Sequence, residues 1–211
     1  IGLMGYHFGT FDQASHIPFL RQMADPSLYP GDALLPLRFT KYSYFWQLFI
    51  PALRAGVLEQ TLFAVYVVSI FLTFMAIWRL AMIMFSSTRA ATLATLTMIL
   101  PHFGFGYFNI FEFSMVNRVV IFPLLLFCLG WYLKKQYLWV FFFIGILFNF
   151  HALSVIFVLI MFGYDMMMRW KEIGIHKIFQ SITLFAISAL PVLLWKAQTS
   201  GVTFLADYPW F

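Results

Sequence analysis

An all-α, polytopic membrane fold with about six transmembrane or re-entrant helices is what this sequence predicts, from three observations. Apolar residues make up 63% of the 211-residue chain and charged ones 10%, against roughly 45–50% and 25% in soluble domains. Several stretches approach or reach the ~18–20 apolar residues that cross a bilayer core. The period-2 alternation of an outer-membrane barrel is absent, which leaves helices as the spanning structure.

The spans can be placed in order. Thr61–Trp78 is a first apolar run, extending toward Phe85. Ala90–Leu100 follows and is ended or kinked at Pro101, before a loose Gly/aromatic stretch. Val116–Leu133 stops at Lys134-Lys135, and Ile178–Trp195 is the last span, with Pro191 near its end. Between them, Tyr137–Tyr164 runs 28 residues without a formal charge. As one helix it would be about 42 Å long, too long for a ~30 Å core without strong tilt.

Charge distribution decides between one helix and two. If the run breaks at Asn149–His151, then Arg79, Arg89, Lys134, Lys135, Arg169, Lys171 and Lys177 share one side in short loops. That arrangement follows the positive-inside rule, and a single helix would violate it. The other side receives the long loop before residue 60, the 101–117 loop and the tail after Lys196, with six of the eight acids. Residues 1–57 are therefore an extracytoplasmic loop, 58–196 a helical bundle and 197–211 an extracytoplasmic tail. Half-helices of about 14 residues cannot cross a ~30 Å core. The hairpin tip should lie below the membrane surface, walling a cavity open to the loop.

The net charge of +5 does not indicate nucleic acid, because the basic residues sit at helix ends. Cys128 is the sole cysteine, so no internal disulfide forms. The opening IGLMGY reads as the end of a hydrophobic segment, so the chain is expected to be a fragment lacking at least one preceding helix. The 28 phenylalanines and 11 methionines read as core and lipid-facing surface.

Residues 6–32 form the long polar stretch and hold Asp12, Asp25, Asp32, His7 and His16. Thr10 and Gln13 suit a capping box that starts a helix with Asp12 and His16 four apart on one face. Pro18 suits the first turn of a second, surface-lying piece, with Ile17, Leu20 and Met23 as its apolar side. Tyr44–Leu53 reads as another interfacial helix, rich in aromatics.

Phe11-Asp12-Gln13, the run Asp25-Pro26-Ser27-Leu28-Tyr29-Pro30-Gly31-Asp32 and the Asn149–His151 break together resemble the integral-membrane glycosyltransferases of the GT-C superfold. In that superfold a first helix leads into a long extracytoplasmic loop of surface helices, and short paired helices follow. The likeness covers most of the chain as topology. Family members usually carry an acidic pair where this chain has Asp12-Gln13, so no metal site is assigned. The resemblance implies transfer of a sugar, with inversion, from a polyprenyl-phosphate donor to an acceptor hydroxyl at the bacterial inner membrane.

Such chemistry needs a carboxylate to accept the hydroxyl proton and cations for the departing phosphate. The resemblance makes Asp12 the base, although a helix-dipole charge explains it equally. Arg118, near Glu112 and Asn117, could meet a lipid phosphate bidentately or simply snorkel to headgroups. Arg38, Lys41 and Lys196 are weaker versions of the same argument. His16, Asp25 and Asp32 complete the expected substrate side, the two aspartates also suiting ordinary turns. His151 is an ionisable residue at membrane depth, either functional or helix-breaking. His7, His16, Asp12 and His102 share one side, without diagnostic metal-ligand spacing. The cofactor is unknown, and the partners expected are membrane lipids, a polyprenyl-phosphate sugar and other membrane subunits. A non-catalytic scaffold subunit derived from the same fold is the competing expectation. A transporter lacks a paired repeat, and a haem or pigment protein lacks a ligand motif.

Overall fold

A computed structural model describes residues 5–10, 12–32, 43–100 and 112–199. Within them the chain is helical, without strands. Pro101, His102, Arg38, Lys41, Phe11 and the tail from residue 200 lie outside the described residues.

The first helix, α1 (Asp12–Ala24), runs straight through Pro18. This corrects the expectation of two pieces. The ring removes the hydrogen bond to the Ala14 carbonyl, but Ile17 and Leu20 on either side are buried against Phe45, Trp46 and Phe49, and that packing keeps the helix continuous. The capping box is also altered. The Thr10 hydroxyl donates to the His7 carbonyl, while Gln13 Oε1 accepts the Gly9 N–H at 2.8 Å.

A 3-10 turn (Trp46–Phe49) leads into α2 (Ile50–Arg54), where the aromatic surface helix was expected. Then come α3 (Leu58–Phe85), α4 (Thr88–Thr97), α5 (Asn117–Leu133), α6 (Tyr137–Phe148), α7 (Ala152–Met168), α8 (Trp170–Ile173) and α9 (Ile175–Thr199). A left-handed Ser86 (φ 51°) ends α3, and the Ser87 hydroxyl accepts the Ala90 N–H to begin α4. The 137–164 run is two helices, broken at Asn149–His151.

Among the described residues two helices, α3 and Ile175–Gln198 of α9, are long and apolar enough to cross a membrane. In their most apolar stretches only 28% and 17% of residues are buried within the chain. Phe71, Phe157, Ile160, Phe179 and Ile187 lie open on the outside of α3, α7 and α9.

Two buried clusters organise the interior. One joins α5, α6 and α7 through Ile121, Cys128, Val140, Ile144, Val155 and Phe162. The other gathers α1 and Trp46 against the start of α3 and Met115–Val116, through Leu20, Leu62 and Tyr66. The bundle consequently has two chemically distinct ends. At one, Lys135 pairs with Glu172 at 2.9 Å, Arg169 forks onto Asp165, and the Tyr132 hydroxyl donates to Asp165 at 2.6 Å. Lys135 holds the Glu172 carboxyl below the usual carboxylate range and is itself raised by it. At the other end lie α1, Glu112, Arg118 and the Asn149–His151 break.

The break depends on Asn149. Its Nδ2 donates to the Ser188 carbonyl at 2.8 Å, and its Oδ1 accepts the Val192 N–H at 3.0 Å. Ser188 O and Val192 N are the two groups that would bond each other in an uninterrupted helix. The carboxamide of Asn149 thus substitutes for one rung of the α9 ladder, beside Pro191. The α9 helix runs on past Pro191 to Thr199. Two further bonds, to the Gly145 and Ile146 carbonyls, finish α6. Close approach at this point requires Gly145. A Cβ there would lie 2.6 Å from the Phe185 carbonyl and 2.0 Å from Ser188 Oγ.

Asn149 is buried in protein, and a groove of ≈ 470 Å³ between the first loop and α9 is walled by Tyr44, Gln47, Pro191, Leu194, Trp195 and Gln198.

Gly145→Ala should lower stability by about 1–3 kcal/mol through overpacking, whereas Gly163→Ala, with open space around it, should be neutral or slightly stabilising. Thermal melts of the detergent-solubilised variants check the contrast. Asn149→Ala should cost about 2 kcal/mol by leaving the α9 carbonyl and N–H unpaired, and equal melting of variant and parent would remove the ladder role.

Candidate functional site

Sequence-distant segments meet at the Asp12 end. Gln13, fully buried, is the joint. Its Oε1 holds the Gly9 N–H, and its Nε2 donates to the Met115 carbonyl at 2.8 Å. The His7 N–H donates to the Phe113 carbonyl at 2.8 Å, and the Tyr66 hydroxyl donates to the Glu112 carbonyl at 2.8 Å. These bonds lock the first loop onto residues 112–116, so the first turn of α1 faces the first turn of α5.

Arg118 occupies that meeting point. Its Nη1 lies 3.1 Å from Asp12 Oδ2, and its Nε donates to Glu112 Oε1 at 2.5 Å. The guanidinium is therefore held between two carboxylates, and the trio carries one net negative charge. Exposure is graded across it. Side-chain accessibility is 17% for Glu112, 33% for Arg118 and 48% for Asp12. Glu112 is the anchored partner and Asp12 the accessible one.

The hairpin tip borders the same place. Tyr44 N–H donates to the Asn149 carbonyl at 2.9 Å, the Ser43 hydroxyl to the Phe150 carbonyl at 2.6 Å, and Asn117 Nδ2 to the same carbonyl at 3.5 Å. His151 caps α7. Its Nδ1 accepts the Ser154 N–H at 3.3 Å and lies 2.6 Å from the Ser154 hydroxyl. With Nδ1 accepting, the proton of a neutral ring sits on Nε2. Arg118 is close enough to act electrostatically on this imidazole.

The expected site residues fall into two groups. Asp12 and Arg118, read from sequence as separate base and phosphate cation, are bonded to each other, with His151 nearby. His16, one turn beyond Asp12, stacks on Trp46 with ring centroids 4.8 Å apart. Asp25 accepts the Ser27 N–H and hydroxyl at 3.0 and 2.7 Å, which holds its carboxyl below the usual range. Asp32 follows in the same exposed turn, its N–H on the Tyr29 carbonyl. Glu112 is the member that sequence reasoning placed only as a neighbour of Arg118. An acid in a loop six residues before an arginine fits no spaced motif. Among the described residues no three potential metal ligands converge; His102 lies outside them.

No family model matches this chain, and neither curated proteins nor solved structures give a match.

The graded burial sets an order of tolerance. Arg118→Gln should destabilise by about 2 kcal/mol or more, because it strands the largely buried Glu112. Asp12→Asn should cost under about 1 kcal/mol, as an exposed pair does. Thermal melting of both variants checks this, and reversal of the order would contradict the assignment of Glu112 as anchor.

Proposed function

We propose that this chain is a GT-C-like membrane module that transfers a sugar from a polyprenyl-phosphate donor to an acceptor hydroxyl on the extracytoplasmic face of a bacterial inner membrane. The observation that carries the proposal is the convergence of Asp12, Glu112, Arg118 and His151 at one end of the bundle, from segments up to 139 residues apart. In this reading α3, α4, α5, the α6–α7 hairpin and α9 supply the six spanning or re-entrant helices. The open apolar faces of α3, α7 and α9 contact lipid, which accounts for their low burial.

Helix length gives the depth. At 1.5 Å per residue α6 is only about 18 Å long and α5 and α7 about 25 Å, against a ~30 Å core. The Arg118 end of α5 then lies near the headgroup boundary, where a lipid-linked phosphate resides. The donor phosphate displaces Asp12 from Arg118 Nη1, while Glu112 keeps its hold on Nε. One anion replaces another, so the charge of the cluster is conserved. Asp12, released, accepts the proton of the attacking hydroxyl, and Arg118 stabilises the leaving phosphate. His151 offers Nε2–H as a donor toward the same space.

The competing reading is a non-catalytic scaffold subunit, favoured by one observation. The Asp12–Arg118–Glu112 trio also clasps the first loop onto α5, as a purely structural fastening would.

Membranes containing the protein, given a panel of radiolabelled polyprenyl-phosphate hexoses, should transfer label to an acceptor. Asp12→Asn should reduce transfer by about 10²–10⁴-fold, the scale of losing a general base, with protein level unchanged and melting lowered by no more than the loss of an exposed ion pair. Transfer undiminished in Asp12→Asn removes Asp12 from the chemistry, and absence of transfer with every donor favours the scaffold.

A further inference from the structure

The end of the bundle opposite Asp12 carries a second arrangement with a ligand chemistry of its own. Its two described acids are already used, Glu172 by Lys135 and Asp165 by Arg169. Arg79 and Lys134 have no carboxylate within 4.0 Å among the described residues, and both side chains are open to the outside. They line one crevice between α3 and α5, whose other walls include Ile83, Leu126, Gly130 and Trp131. Gly130 brings the helices close, since a Cβ there would sit 3.1 Å from Ile83 Cδ1. The crevice encloses only ≈ 10 Å³, so a ligand must lie along its lip rather than inside it.

A pair of uncompensated cations beside an apolar seam selects a molecule that is anionic at one end and apolar along its length. A guanidinium binds phosphate oxygens in a fork, and a neighbouring ammonium adds a second point of charge. Basic clefts between helices at a membrane face hold anionic headgroups in this way. We propose that Arg79 and Lys134 bind the phosphate of an anionic phospholipid whose acyl chains run along the α3–α5 seam. This rests on the membrane-spanning reading but not on sugar transfer. It differs from general attraction to a charged leaflet by naming two cations. Arg89 and Lys171, exposed at the same end but outside the crevice, should not substitute for them.

The test is native mass spectrometry of the full chain released in detergent and titrated with phosphatidylglycerol or with phosphatidylcholine of the same acyl chains. The parent should bind phosphatidylglycerol at least tenfold more tightly. The double variant Arg79→Gln/Lys134→Gln should lose that preference, while Arg89→Gln/Lys171→Gln should keep it. Millimolar inorganic phosphate should fail to displace the lipid. Equal binding of the two lipids by the parent, equal loss in both double variants, or displacement by phosphate alone would each overturn the proposal. Retention of the protein in carbonate-washed membranes tests the spanning reading separately, so its failure is distinguishable from failure of the lipid site.

Discussion

The carboxamide of Asn149 is the constraint on which the arrangement turns. It ends α6 by bonding the last α6 carbonyls, and it joins α9 by replacing a rung of that helix beside Pro191. A polar backbone group left unpaired in an apolar setting costs about 1–3 kcal/mol, and Asn149 supplies partners to two of them. With the chain broken there, the Asn149 and Phe150 carbonyls turn to Tyr44, Ser43 and Asn117, and His151 is left at the mouth of α7. The candidate site is consequently assembled around a repair to a helix.

The ion trio shows how burial changes the meaning of a charge. Arg118 between Glu112 and Asp12 would contribute little if all three were in water. With Glu112 mostly covered, the arginine becomes necessary to the carboxylate it neutralises. Asp12, half open, remains the partner that can exchange. The same logic separates the opposite end, where Asp165 and Glu172 are matched to cations and Arg79 and Lys134 are left over.

Much of the helical framework was legible because apolar runs and charge positions are local. The α3 and α5 helices, the aromatic turn at Trp46 and the break in 137–164 can all be read from sequence, the last from the sidedness of lysine and arginine. What could not be read depends on partners distant in sequence. Pro18 reads as a boundary until Ile17 and Leu20, on either side of it, are seen to pack against Trp46 and Phe49. Asn149 reads only as a break in 137–164 until its bonds to Ser188 and Val192 of α9 are seen. Glu112 reads as a loop acid until Tyr66 and Gln13 fix its segment against α1. For the site, Asp12 and Arg118 were identifiable as charges worth explaining, but their pairing was not.

Asn149 also imposes an order on synthesis. Its partners Ser188 and Val192 emerge from the ribosome 39 and 43 residues later, and chains are made from the N-terminus onward at roughly 5–20 residues per second. For those seconds α6 and α7 exist without the helix that finishes them, and the tip amide must be satisfied by water or by another partner. The hairpin is therefore a late-maturing element, settled only once α9 has arrived.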